Sequence, residues 1–121
     1  MTDLKTRLAQ ATKGSRELSD RVLVAMGWQI RTDYANDEQP TYWWPDGIMY
    51  EGFHHPDPTR SVDHVLALVP EGWHLSHAWK NDEQAGFNLT KQLGIHANAL
   101  AATLPLAGCI AILEAQEADN G

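Results

Sequence analysis

The sequence predicts an α+β layered domain, and three observations carry the prediction. Apolar residues recur at helical spacing in several stretches: near the N-terminus, around residue 65 and near the C-terminus. Residues 73–79 switch to a period of two, the spacing of a strand with two unlike faces. Residues 28–57 hold seven of the ten aromatics, cut by Pro40, Pro45, Gly47, Gly52 and Pro56, a pattern of short strands and turns. Strands with helices before, between and after them make a layered domain with a small, largely antiparallel sheet. A chain of 121 residues is one such domain, residues 1–121, large enough to bury a core.

The elements follow in order. Leu4, Leu8 and Ala11 make the stripe of a first helix, with Thr2 as its cap and Gly14 as its end. Ser15 caps a second helix with Leu18, Val22 and Ala25 as its stripe and Gly27 as its stop. Short strands are expected at 28–33, 41–44 and 48–53, with a turn at Pro45-Asp46-Gly47. Thr59 or Ser61 caps a short helix whose stripe is Val62, Val65, Leu66 and Val69. Pro70 stops it and takes the second position of a turn.

The strand that follows places Trp73, Leu75, His77 and Trp79 on the face toward the preceding helix. His74, Ser76 and Lys80 point away. A polar loop at 81–86 leads to a returning strand with Phe87 and Leu89 on one face. The last helix spans 102–118, capped by Thr103, with Pro105 in its first turn. Leu106, Ile110 and Leu113 form its stripe, Cys109 borders it, and Glu117 to Gly121 fray into solvent.

Three blocks resemble the phage ABA sandwich domain family, small proteins of tailed bacteriophages and prophages. They are 6–28, 59–73 and 101–116, in the expected order, and the most specific is Ser61-x-Asp63 followed by Leu-Val-Pro-Glu-Gly-Trp at 68–73. The family's usual Tyr-Thr pair is here Pro58-Thr59. The resemblance implies an α/β/α sandwich and a phage or prophage origin. It implies no activity, and fold alone does not give function.

Charge narrows the partners. The net charge is −7; residues 1–31 hold six of the nine basic residues against three acids, and the remainder is strongly acidic. Such a surface repels phosphate backbones. No apolar run approaches a membrane span, and residues 1–18 hold no signal-peptide core, so the expected place is the cytoplasm of a bacterial host. The single cysteine, Cys109, excludes an internal disulfide.

Candidate chemistry is sparse. His74 and His77, three apart on a strand, should face opposite ways and share no ion. His54, His55 and Asp57, with His64 or Asp63, form the best ligand-like cluster; the plainer reading is a polar loop before a helix. Cys109 in Leu-Ala-Gly-Cys-Ile-Ala reads as a packed thiol rather than a nucleophile. No catalytic residue, metal or cofactor is expected. The binding candidates are Tyr42, Trp43 and Trp44, either packed between two layers or exposed as an anchor, with Asp33, Asp37, Glu38 and Asp46 as an acidic rim.

The leading expectation is a non-enzymatic accessory protein that binds another protein, one version being inhibition of a host defence system. One alternative is a DNA-binding regulator using Arg16 and Arg21 on the second helix. Another is a metal-dependent enzyme using His54, His55 and His64.

Overall fold

The computed structural model of this chain describes residues 3–31, 41–43, 49–51 and 56–120. Helix α1 spans Leu4–Gln10; its cap is Asp3, whose carboxylate accepts the Lys5 N–H at 3.1 Å, rather than the expected Thr2. Helix α2, Arg16–Ala25, is capped as expected by Ser15, whose Oγ accepts the Leu18 N–H at 3.1 Å. Its buried face is Leu18, Ser19, Val22 and Leu23, so the expected Ala25 turns outward and Leu23 takes its place.

The three short strands form where the aromatic stretch predicts them. β1 is Gln29–Arg31, β2 Thr41–Trp43 and β3 Met49–Glu51, an antiparallel sheet in that order. Ile30 pairs with Tyr42, and Tyr42 with Tyr50. The Pro45–Gly47 turn lies outside the described residues.

Helix α3, Val62–Ala67, is capped by Ser61, whose Oγ accepts the His64 N–H at 3.3 Å. Val65 is fully buried, but Leu66, expected beside it, is 41% exposed. The helix has only six residues and tightens at its end, where the Leu68 N–H reaches the Val65 carbonyl at 2.9 Å. That tightening brings Leu68 into the core instead. The turn that follows places Pro70 first, not second: the Trp73 N–H donates to the Pro70 carbonyl at 3.1 Å. Gly72 then supplies the positive φ, +91°, which a side chain would strain.

A second antiparallel sheet follows, β4 (Trp73–Lys80), β5 (Ala85–Lys91) and β6 (Ile95–Ala101), in that order. Phe87 and Leu89 share one buried face, as expected. β4 departs from simple alternation. Its register shifts between Leu75 and His77, an inserted residue at Ser76 that reverses the faces beyond it. Trp73 and Leu75 sit on the row of Leu89, whereas His77 pairs with Asn88 and Trp79 with Gly86. The expectation of four side chains on one face is therefore overturned.

Helix α4, Leu104–Asn120, is the central strut. Thr103 caps it, accepting the Leu106 N–H at 3.3 Å. It is buried almost all round, through Leu106, Ala107, Cys109 to Leu113, and Ala115. Small residues on the facing strands, Ala97, Ala99 and Ala101, let it lie close to β6. Gly108 admits α3 just as closely, since a Cβ there would sit 2.7 Å from Val65 Cγ1. The end of α4 does not fray as expected. Glu117 is bonded to Lys5 at 2.7 Å, and Asp119 holds Lys91 at 2.6 Å and the Trp73 indole N–H at 3.1 Å.

The chain is thus a small α+β fold. Helices cover the Phe87 face of β4–β6. On the opposite face, where a sandwich's outer layer would lie, the β4 and β6 side chains stand exposed. No helix among the described residues is long and apolar enough to cross a membrane.

Candidate functional site

Of the residues expected to bind a partner, Tyr42 and Trp43 lie on β2, the middle strand of β1–β3. Their side chains lie outside what is described, as do Trp44, Asp33, Asp37, Glu38 and Asp46. β1, which pairs with β2, borders a groove of about 550 Å³ between α1 and α2. Its apolar part is Leu4, Val24 and Ile30, and its rim is Arg7, Glu17 and Arg21. Val24 is 55% exposed, although its helix carries the buried face just described. Sequence periodicity passes over such a residue because it reports the core face, not the apolar residues beyond it.

The rim charges are of both signs and largely satisfy one another. Glu17 bonds Arg7 at 3.2 Å and lies 3.6 Å from Arg21. Arg16, proposed from sequence as a phosphate contact, is held by Asp20 at 2.8 Å, by the Pro56 carbonyl at 2.8 Å and, more loosely, by Asp57 at 3.8 Å.

Behind α2 lies a cluster of serine, histidine and aspartate that resembles catalytic machinery only in composition. Ser19 is fully buried and its hydroxyl donates to Asp57 Oδ1. The Thr59 N–H donates to Ser19 Oγ at 3.0 Å, and the Thr59 hydroxyl donates to the Ser15 carbonyl at 2.9 Å. His64 is spent elsewhere: its Nδ1 accepts the Asp57 N–H at 2.7 Å. A serine nucleophile needs an open hydroxyl with a base against it; here the hydroxyl is sealed and the imidazole faces a backbone amide. The cluster fastens the 56–60 turn to α2. Gly14 completes the fastening, since a Cβ there would collide with the Thr59 carbonyl.

His54 and His55 lie outside the described residues. Among the described residues no group of three or more histidine, cysteine or acidic side chains is placed to hold a metal ion. Cys109 is fully buried, and burial, helped by the Asp57 charge, pushes its thiol far above the ordinary range. It stays a neutral, packed thiol.

The outer face of β4–β6 was not singled out from the sequence. The bulge at Ser76 places His74 and His77 on one face, not on opposite faces, opposite Thr90 and Asn88 respectively. His96 lies across from Thr90 on the third strand. A polar patch lies among these strands: the Thr90 hydroxyl donates to Ser76 Oγ at 2.8 Å and lies 3.2 Å from His96 Nδ1. The Asn88 amide lies among these groups, and its Oδ1, shielded from solvent, has no partner. Farther along the strands, Trp79 lies over Gly86 so closely that a Cβ there would collide with the indole. Leu100, opposite Gly86 on β6, is 53% exposed. A groove of about 660 Å³ takes in this face at His77, Trp79, Asn88, Asn98 and Leu100, and also reaches Phe87 and Ala99 of the helix-covered face, Lys5, Thr6 and Ala9 of α1, and Ile110 and Glu114 of α4.

No protein-family model, no curated protein and no solved structure matches this chain.

Proposed function

We propose that this chain is a non-enzymatic binding protein of the phage ABA sandwich kind, acting on another protein in the cytoplasm of a bacterial host. The groove between α1, α2 and β1 carries the reading. It joins an exposed apolar floor at Val24 to charges of both signs at Arg7, Glu17 and Arg21, the composition of a protein interface with an apolar centre and a polar rim. It borders β1, whose partner strand bears Tyr42 and Trp43. The partner this fits presents an apolar side chain flanked by mixed charge. Inhibition of a host defence system is one such role.

The blocks that carry the family resemblance hold structural posts: Ser61 caps α3 and Gly72 shapes the turn into β4. They support a shared build and leave the activity to the groove. The DNA-binding alternative is disfavoured by the carboxylates already on Arg16 and Arg21.

The test is capture from lysate of infected host cells with the full chain and with Val24→Arg. A protein retained by the native chain and lost with the variant, at an unchanged thermal midpoint, supports the reading. Identical captures, or retention of duplex DNA alone, would refute it.

A further inference from the structure

We propose a second binding site, independent of the docking groove, on the outer face of β4–β6: a platform for an uncharged oligosaccharide, with Trp79 as the stacking surface. Helix α1 separates the two sites, with Lys5, Thr6 and Ala9 toward this one and Leu4 and Arg7 toward the other.

The first argument is the indole. Ring atoms Nε1, Cε2 and Cζ2 of Trp79 lie directly over Gly86, the one residue type that lets a ring settle against the backbone. Part of the ring is spent on the sheet, and the residue remains 36% exposed. An indole held in place at low entropic cost, with ring surface left exposed, suits the C–H face of a pyranose ring, which packs against a π-cloud.

The second argument is charge. In a chain of net charge −7, the outer rows of β4–β6 hold no carboxylate: His74, Ser76, His77 and Trp79 on β4, Gly86, Asn88 and Thr90 on β5, and His96, Asn98 and Leu100 on β6. What they offer is amides, hydroxyls and imidazoles. These pair with sugar hydroxyls as both donors and acceptors and ask for no ionic partner. A nucleic acid strand would also stack on an indole, but it brings a phosphate with every base. The one lysine lining the groove, Lys5, is already bonded to Glu117, and Glu114 lies on the same wall. The site therefore matches a neutral ligand better than an anionic one.

The experiment is isothermal titration of the full chain with maltohexaose, cellohexaose and chitohexaose, with single-stranded oligothymidine as the charged comparison. Binding of at least one oligosaccharide is expected, weakened about tenfold or more by Trp79→Ala. In the native chain the indole N–H resonance of Trp79 should shift on binding while that of the buried Trp73 does not. The resonance reads the site even if the variant proves unstable. Silence from all three sugars, binding without a Trp79 shift, or binding of oligothymidine instead would overturn the proposal.

Discussion

Val65 and Leu66 are neighbours in sequence and both belong to the expected stripe of α3, yet only Val65 is buried, in contact distance of α4 at Gly108. Val65→Ala should cost about 2–3 kcal/mol, because the cavity opens between two helices that already meet backbone to side chain. Leu66→Ala should change stability by less than about 0.5 kcal/mol. Urea midpoints at constant slope distinguish them, and equal costs would mean that α3 is rotated from the position described. Thr59 makes a second case. Its hydroxyl accepts the Ser15 N–H at 3.0 Å and donates to the Ser15 carbonyl, and the residue is 1% exposed. Thr59→Val keeps the shape but strands the Ser15 N–H, while the Ser15 carbonyl keeps the Ser19 N–H at 2.9 Å, an expected loss of roughly 1–3 kcal/mol. Arg60→Ala, which removes an exposed pair with Asp57, should cost no more than about 1 kcal/mol. Nothing in the pattern of residues 57–60 marks Thr59 as buried, since a threonine before a helix reads first as a cap. Its role depends on Ser19, forty positions earlier in the chain.

At the scale of elements, much was legible. Ser15, Ser61 and Thr103 cap the helices they were expected to cap, because a hydroxyl before an apolar stripe is a local signal. β6 was not anticipated: its inward positions are Ala97, Ala99 and Ala101, too small to show as an apolar alternation. The faces of β4 were misread because one inserted residue reverses a period of two, and insertion leaves no mark in the sequence. The end of α4 was misread for another reason: charged residues at a chain end look solvated until a distant partner meets them. There Asp119 is held below the usual carboxylate range, first by the Lys91 hydrogen bond and then by the Trp73 indole. A carboxyl with a depressed folded pKa stabilises the fold above its unfolded pKa, about 3.9, and loses that contribution as pH falls through the folded value. Lys5 works the other way. Its pKa is raised, chiefly by the hydrogen bond to Glu117, so its contribution is present below its unfolded pKa of about 10.4 and disappears as pH rises through the folded value. Asp119→Asn should therefore lower amide protection in the last turn of α4 at neutral pH, and the gap from the native chain should close below about pH 4. A gap that persists at lower pH would show that the carboxylate charge is not what fastens the helix.

The whole molecule is polarised along its sequence, and the fold folds that polarity back on itself. The N-terminal segment holds most of the basic residues, but Lys5 is bonded to Glu117 near the C-terminus, and Arg16 reaches the Pro56 carbonyl and Asp57. Arg7 and Arg21 share Glu17. Charges already answered within the protein release few counterions when a phosphate approaches, and counterion release is the main source of non-specific affinity for DNA. The acidic remainder of the chain adds repulsion that reaches about 8 Å at physiological salt. The prediction is that fluorescence anisotropy with a labelled duplex shows no binding at about 150 mM salt, and at most a weak signal at about 10 mM, where the Debye length is near 30 Å. Arg16→Ala together with Arg21→Ala should leave that result unchanged. Micromolar binding at the higher salt, steep in salt and abolished by the double substitution, would instead make α2 a nucleic-acid contact. It would require Arg16 to leave Asp20 and the Pro56 carbonyl for phosphate, which should show as loosening of the 56–60 turn in hydrogen exchange.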